Sequence, residues 1–393
     1  MELSALRALA VRPGVPKVLG ALGPGKARFV GGAVRDTLLG LDAEDLDLAT
    51  PLSPYEVMRV LGSAGIKVVP TGIAHGTVTA ISEGQVVEIT TLRSDVTTDG
   101  RRATVSFTDD WKEDAARRDF TINALFSDPQ TGELFDYFDG LADLRERRVR
   151  FIGDPLTRIA EDHLRILRFF RFHARFGLDQ PDEHGLRACI QRANDLMALS
   201  RERIADELLK LLAHPNPAST VSVMVEHGVL AAVLPEILVS ALPRLTNLIA
   251  AEQNAGVAAD GIRRLASLLP ADVDLAEKIA ARLKLSNKDR KRLATAVLPQ
   301  LEANPRALSY RVGKESAIDR LLLAGRAEQA RSIAGWEPPR LPIGGGALIE
   351  RGLLPGPVVA RTLKTIEKRW VEQDFPEGID FEAIVKDALD AAT

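Results

Sequence analysis

The stretch Gly31-Gly32-Ala33-Val34-Arg35-Asp36, with Asp45-Leu46-Asp47 shortly after it, decides how this chain is read. A short apolar run at 27–30 ends in the glycine pair, and a helical pattern at 33–39 follows, closed by Gly40. That order predicts strand, turn and helix. Gly31 and Gly32 let the backbone come close to a phosphate, and the N–H groups at the helix start bind the anion. Arg35, in the first turn, adds a charge-assisted grip on a triphosphate. Asp45 and Asp47 are two residues apart around the next strand candidate, 46–49, and residues so spaced on a strand share a face. Two carboxylates on one face repel unless a cation sits between them, and hard oxygen ligands suit Mg²⁺. Both signals have plainer readings: strand–glycine–helix turns are common, and an isolated Asp-x-Asp is usually a solvated turn.

Further along, 53–61 reads as a helix with Ser53 as N-cap and Pro54 in its first turn. Segments 76–81 and 85–92 alternate as strands around the turn Ser82-Glu83-Gly84. Glu88, flanked by apolar neighbours, is either on the wet face of the sheet or a third carboxylate ligand. The polar stretch 95–108 has no clear period and reads as a mobile loop, and 111–124 as a helix. Within it, Arg118 reaches a nucleotide phosphate or sugar while Asp119 and Asn123 order the site; the plainer reading is a surface helix with an internal salt bridge. On the helix expected at 157–176, Asp162 and Arg165 are three residues apart and so neighbours. They are either an ordinary ion pair or a template for a base edge. Cytosine and adenine both offer an exocyclic amine beside a ring acceptor, and a site built for that pattern leaves polar groups unpaired with the wrong base. Arg168 and Arg171 are rotated away from that pair, toward phosphate, primer RNA or a neighbouring element.

Three features carry no chemistry in this reading. Gly20 to Ala27 nearly spells a phosphate-binding loop, but it ends in Ala and precedes a strand. His75 has no His or Cys at ligand spacing. Cys189, the single cysteine, sits in an amphipathic stretch and reads as a buried hydrophobe. One cysteine forms no intrachain disulfide, which fits a reducing compartment.

The 393 residues allow two or three domains, and a formal charge of −3 argues against a general polyanion binder. Any nucleic-acid contact has to use local basic patches. One is the Arg-rich, Phe-interleaved segment 145–175. A second is Lys284, Lys288, Arg290, Lys291 and Arg292, which reads equally as a solvated helix face. The first residues lack the apolar core of a signal peptide, and no apolar run is long enough to cross a bilayer; a cytoplasmic protein is expected. Mixed strand and helix signals occupy 26–150, and helical periodicity dominates from there to the C-terminus. The predicted class is α+β: a small head with a mixed sheet, then an all-α remainder.

Taken in order, GGAVRD (31–36), DLD (45–47), HGTVT (75–79), VEITTLR (87–93), RRDFTINAL (117–125) and EDHLRILRFFRF (161–172) resemble the class II tRNA nucleotidyltransferase and bacterial poly(A) polymerase family. The likeness is greatest to its CCA-adding members. It is dense over 28–175 and weaker beyond, where LPIGGGALIERGLLPGP (341–357) looks like a tail segment of bacterial members. The resemblance implies a nucleotidyltransferase head (26–150), a helical neck with the nucleotide-selecting helix (151–240), and a tRNA-binding body and tail (241–393). It implies addition of C, C and A to the tRNA 3′ end from CTP and ATP, with Mg²⁺ and without a nucleic-acid template. It points to Gly31, Gly32 and Arg35 at the triphosphate, Asp45 and Asp47 on Mg²⁺, Glu88 as a third carboxylate, and Arg118 at the nucleotide. Asp162 and Arg165 match the base-selecting pair, and Arg168 and Arg171 match further nucleotide contacts. Metal ions held by the two aspartates would activate the primer hydroxyl and stabilise leaving pyrophosphate. The alternatives are a poly(A) polymerase, an A-only or CC-only tRNA enzyme, and a catalytically dead RNA-binding protein. The region 69–76 lacks the extra basic, aromatic signature usual in poly(A) polymerases, and the intact Asp45, Asp47 and Arg35 argue against a dead head. Some relatives carry a fused His-Asp phosphohydrolase domain; the chain has no His-Asp dipeptide, so none is expected.

Overall fold

The computed structural model describes residues 2–99, 102–178, 180–298 and 301–392. Seven strands form one mixed sheet: β1 (Arg28–Val30), β2 (Leu46–Thr50), β3 (Lys67–Gly72), β4 (Thr77–Ser82), β5 (Gln85–Thr91), β8 (Leu125–Ser127) and β9 (Leu134–Asp136). Their order across the sheet is β3-β4-β5-β2-β1-β8-β9. β2 and β5 pair in parallel, and their register sets Asp47 opposite Glu88. The remaining pairs in the sheet are antiparallel. β4 alternates buried and half-buried residues, as a strand with one covered face should. The β4–β5 turn has Glu83 and Gly84 at φ 51° and 83°, the left-handed pair that matches strand twist. Helix Pro54–Ser63 starts on a full capping box between Ser53 and Glu56.

Four expectations change. The stretch expected as a loop at 95–108 is largely a hairpin, β6 (Arg93–Asp99) against β7 (Arg102–Phe107), forming a second, two-stranded sheet. Its threonines and valines favour extended backbone, and polarity hid that preference. The helix expected at 111–124 is Trp111–Ala116 only. Beyond it Phe120 bridges to Phe151, Thr121–Asn123 makes one 3₁₀ turn, and β8 follows. The helix expected at 157–176 is two, Pro155–Glu161 and Arg165–Phe176, with Asp162 extended at φ −151°, ψ 106° between them. Edge strand β3 was unforeseen because it contains Pro70, which a sheet tolerates at its margin.

The chain divides into two compact units. The first runs to Leu199 and includes His227–Ala232; the second holds Ser200–Glu226 and everything from Val233. The first therefore contains the sheet together with helices Pro155–Glu161, Arg165–Phe176 and Glu183–Gln191. Phe120, Phe151, Phe169 and Phe172 pack together there, with Phe151 stacked on Phe169 at 5.4 Å. Cys189 is fully buried, and burial pushes its thiol well above the usual range.

The second unit is helical. Its helices include Arg201–Leu212 and Asn287–Ala296, in line with the helical periodicity of this region. Pro305–Val312 was unforeseen although Asn304 caps it, accepting from the N–H groups of Arg306 and Ala307. Inside this unit lies a buried charge network. Arg263 pairs with Glu252 (2.7 Å) and Asp319 (2.8 Å), Arg264 with Glu252 (2.7 Å), and Arg292 with Asp319 (2.6 Å) and Asp260 (2.9 Å). Nearer the C-terminus, Leu348, Ile366, Trp370, Phe381 and Val385 form a separate core.

Removing one partner of a buried pair strands the other charge. Asp319→Ala, which robs both Arg263 and Arg292, is expected to lower unfolding free energy by about 3–5 kcal/mol in urea titrations. Lys284→Ala, which removes the exposed pair with Glu202, should cost less than about 1 kcal/mol. Equal midpoints for the two variants would contradict the buried network.

Candidate active site

The site begins at the turn after β1. Gly31 adopts φ 64°, ψ −121°, a conformation open in practice to glycine alone. Its N–H donates to the Leu125 carbonyl (3.1 Å), and its own carbonyl accepts from the Arg35 N–H (3.0 Å). A Cβ on Gly31 would lie 3.4 Å from Arg118 Nη1, and one on Gly32 would lie 3.7 Å from Arg35 Nη2. Two guanidinium groups therefore flank the bare backbone. Helix Gly32–Leu38 has only seven residues, so these arginines supply more positive potential than its dipole.

Asp47 projects from β2, half-buried, with Glu88 beside it on β5. Asp45 precedes the strand by one residue and is exposed. Burial, then the charge of Glu88, raises the Asp47 carboxyl to about 6; Asp45 adds to the rise, while Arg118 and Arg35 oppose it. A carboxylate whose charge is opposed first by burial and then by neighbouring acids is one that a cation would relieve. Among the described residues no set of three or more His, Cys, Asp or Glu can hold a metal unaided. Asp45 and Asp47 nevertheless fit an ion such as Mg²⁺, which keeps several waters and takes its remaining ligands from substrate phosphate.

The arginines are held rigidly. Arg35 is buried; its Nε donates to Asp36 Oδ1 (2.8 Å), its Nη1 to Asn123 Oδ1, and its guanidinium lies 4.1 Å above Phe176. Burial lowers its basicity, Asp36 works against that, and Arg175 adds to the lowering. Asp36 also accepts from Arg175 (3.0 Å). Arg118 pairs with the buried Asp114 (3.0 Å) and donates to the Asn123 carbonyl (3.4 Å). Asp119 is the hub: it accepts from the Phe120 N–H (2.9 Å), Asn123 Nδ2 (3.0 Å) and both Nε and Nη2 of Arg168 (2.8 and 2.6 Å). Burial alone would raise its pKa, but Arg168 and these hydrogen bonds outweigh it and hold the carboxyl below the ordinary value.

The expected Asp162–Arg165 pairing on one helix face does not form. Asp162 sits in the break between helices, where its side chain accepts from the Leu164 N–H (3.1 Å). Arg165 instead pairs with Glu161 and donates to the Arg158 carbonyl (2.7 Å). Both side chains still flank the same break. Arg168, expected at the nucleotide, is committed to Asp119, and Arg171 lies 4.5 Å over the Phe172 ring. Two residues escaped sequence reading. Arg158 is buried, donates to the carbonyls of Arg117 and Arg118 and pairs with Glu161; Glu161 in turn joins Arg158 to Arg165. Arg158 thus ties the helix break to the backbone that carries Arg118. The only forewarning was an unremarked arginine in an otherwise ordinary helix.

Of the second basic cluster, Lys284, Lys288 and Arg290 are exposed and paired with Glu202, Glu315 and Glu277. Lys291 is exposed. Arg292 faces inward onto Asp260 and Asp319 and is removed from the candidates for phosphate contact. His75 offers its backbone carbonyl to Arg93.

A mixed sheet with paired acids beside a glycine turn, followed by helices, defines a nucleotidyltransferase head with a helical extension. The family description "Poly A polymerase head domain" matches residues 27–150, and "Probable RNA and SrmB- binding site of polymerase A" matches 180–239. The chain is 34% identical over 369 residues to mouse CCA tRNA nucleotidyltransferase 1, mitochondrial, covering 88% of this chain and 83% of the relative. It is 34% identical over 376 residues to the CCA-adding enzyme of Streptococcus gordonii, covering 91% and 92%. The solved CCA-adding enzyme of Bacillus stearothermophilus, in complex with CTP, superposes with TM-score 0.74 at 27% identity, covering 95% of this chain and 96% of that one. The chain belongs to the CCA-adding tRNA nucleotidyltransferase family.

The Asp47 carboxyl titrates above its ordinary 3.8. The folded chain therefore binds this proton more tightly than the unfolded chain, and stability falls as pH rises through that window to about 6. With chelator present, Asp47→Asn is expected to melt higher than the parent at neutral pH, by about 1–2 kcal/mol after solvent screening. The gain should vanish in acid below the ordinary aspartate range. A variant less stable than the parent at neutral pH would contradict the crowding of acids around Asp47.

Proposed function

We propose that this chain completes tRNA 3′ ends, adding C, C and A from CTP and ATP with release of pyrophosphate and without a nucleic-acid template. Membership of the CCA-adding family supports the reaction. One observation in the chain itself carries the site: Asp47 lies opposite Glu88 and within electrostatic reach of Asp45, Arg118 and Arg35, and the two arginines flank the Gly31–Gly32 turn.

In this reading Arg118 and Arg35 receive the triphosphate over the bare backbone of Gly31 and Gly32. Asp45 and Asp47 would hold Mg²⁺, which supplies activation of the primer hydroxyl and charge neutralisation at the phosphates. Glu88 adds negative potential across the strand pair and tightens the grip of Asp47 on a cation. Most of the rate comes from this fixed positioning and charge stabilisation. At the break between helices, Asp162 accepts from the exocyclic amine of cytosine or adenine while Arg165 donates to the ring acceptor, with Glu161 fixing the guanidinium. Arg168 acts through Asp119, and Arg171 contacts phosphate. Lys284, Lys288, Arg290 and Lys291 meet the tRNA backbone by shape and charge. The single cysteine supports a reducing, cytoplasmic setting. Among the described residues no helix is long and apolar enough to cross a membrane.

An incorporation assay with labelled CTP and ATP on tRNA lacking its last three nucleotides tests the reaction. We expect CCA ends from the parent chain and none from Asp45→Ala/Asp47→Ala, with unchanged circular dichroism. Turnover by that double variant would refute the acid assignment, and A-only products on any RNA would favour the poly(A) alternative. Arg165→Ala should flatten the preference for CTP and ATP over UTP and GTP. An unchanged preference would count against base selection at the helix break.

A further inference from the structure

Five arginines are buried among the described residues: Arg35, Arg158, Arg263, Arg264 and Arg320. Four have a carboxylate at ion-pair distance: Asp36 for Arg35, Glu161 for Arg158, Glu252 and Asp319 for Arg263, and Glu252 for Arg264. Arg320 is the exception. It lies on helix Lys314–Leu323, is 8% exposed, and its Nε has no hydrogen-bond partner among the described residues. Its sequence neighbour Asp319 is taken up by Arg263 and Arg292. Glu302 acts on it only at longer range and is itself paired with Arg311 at 3.0 Å. Burial lowers the basicity of Arg320, as expected for a guanidinium short of counter-charge.

A cavity of about 480 Å³ opens beside it. Leu248, Leu269 and Leu322 give it apolar walls, and Ser267, Arg244 and Asn247 add polar groups. Leu248, Ser267 and Leu322 are almost fully buried, whereas Arg244 and Asn247 are exposed. The volume lies within the range of small-molecule sites. The buried Nε of Arg320, unpartnered among the described residues, is a cost to the fold, since a buried polar group of a cation without a partner is destabilising. An anion entering the cavity removes that cost.

We propose that the helical unit holds a second binding site, separate from the nucleotide site, for a small organic anion: a carboxylate or phosphate monoester carrying an apolar body. The guanidinium of Arg320 receives the anionic group, for which its planar fork is suited. Arg244 supplements it, and the leucine walls receive the apolar part. The proposal does not depend on which nucleotides the head transfers.

The full chain is titrated calorimetrically with benzoate, phenyl phosphate, neutral benzamide and inorganic phosphate, and melting is followed with each. We expect saturable binding and a raised melting temperature with benzoate, phenyl phosphate or both, the pattern telling carboxylate from phosphate. Benzamide should give neither effect, and inorganic phosphate should bind more weakly than phenyl phosphate. Arg320→Met is expected to weaken binding at least ~10-fold while leaving the unliganded protein as stable as the parent or more so. Ala271→Phe narrows the cavity from its exposed rim with Arg320 intact and should also block binding. Absence of saturable binding by either aromatic anion, or binding unchanged in both variants, overturns the proposal. Inorganic phosphate binding as tightly as phenyl phosphate overturns its apolar half.

Discussion

A parallel pairing of two strands forces like charges together, and the catalytic head is arranged around that conflict. β2 and β5 run side by side in a register that sets Asp47 opposite Glu88, with Asp45 two residues before Asp47. The chain does not resolve the conflict with a lysine in the cluster. It brings Arg35 and Arg118 within electrostatic reach of Asp47 and keeps both tied to other partners. Those arginines partly offset the effect of burial and of the neighbouring acids on Asp47. They also border the bare backbone of Gly31 and Gly32.

Rigidity comes from arginine–carboxylate pairs used as struts. Asp119 fastens helix Arg165–Phe176, through Arg168, to the turn that holds Asn123, and Asn123 holds Arg35. Arg158 clamps the backbone of Arg117 and Arg118 and, through Glu161, steadies Arg165. The helix break is therefore linked to Arg118, and helix Arg165–Phe176 to Arg35, by short, charged contacts. The helical unit uses the same device around Glu252 and Asp319, with no chemistry attached. A buried ion pair contributes little net stability compared with an apolar pair of the same volume, but breaking one side is costly. Such struts specify geometry more than they add stability.

How much of this was legible in the sequence depends on the range of the forces involved. The glycine turn, the Ser53 cap, the β4–β5 hairpin and the helical character of the second unit are local, and local chemistry announced them. The close placement of Asp45, Asp47 and Glu88 was partly visible, because strand periodicity fixes which way a residue points. The break at Asp162 was not: 157–176 carries unbroken helical periodicity, and a side-chain bond to the Leu164 N–H inside the break gives no periodic signal. Arg292 looked like a surface charge because its run of basic neighbours is exposed, and only the three-dimensional positions of Asp260 and Asp319 turn it inward. Arg158 was passed over, and the Asp119 partner of Arg168 went unnamed, for the same reason. Their partners lie about 40 and 49 residues away in the chain.

The carboxyl ¹³C signal of Asp47, followed against pH with and without Mg²⁺ and CTP, goes straight to the conflict on which the head is built. We expect a midpoint near 6 in the metal-free protein, driven into the ordinary aspartate range or below it when Mg²⁺ and CTP are added. A midpoint already at the ordinary value, and indifferent to both, would mean that these acids neither crowd one another nor receive a cation.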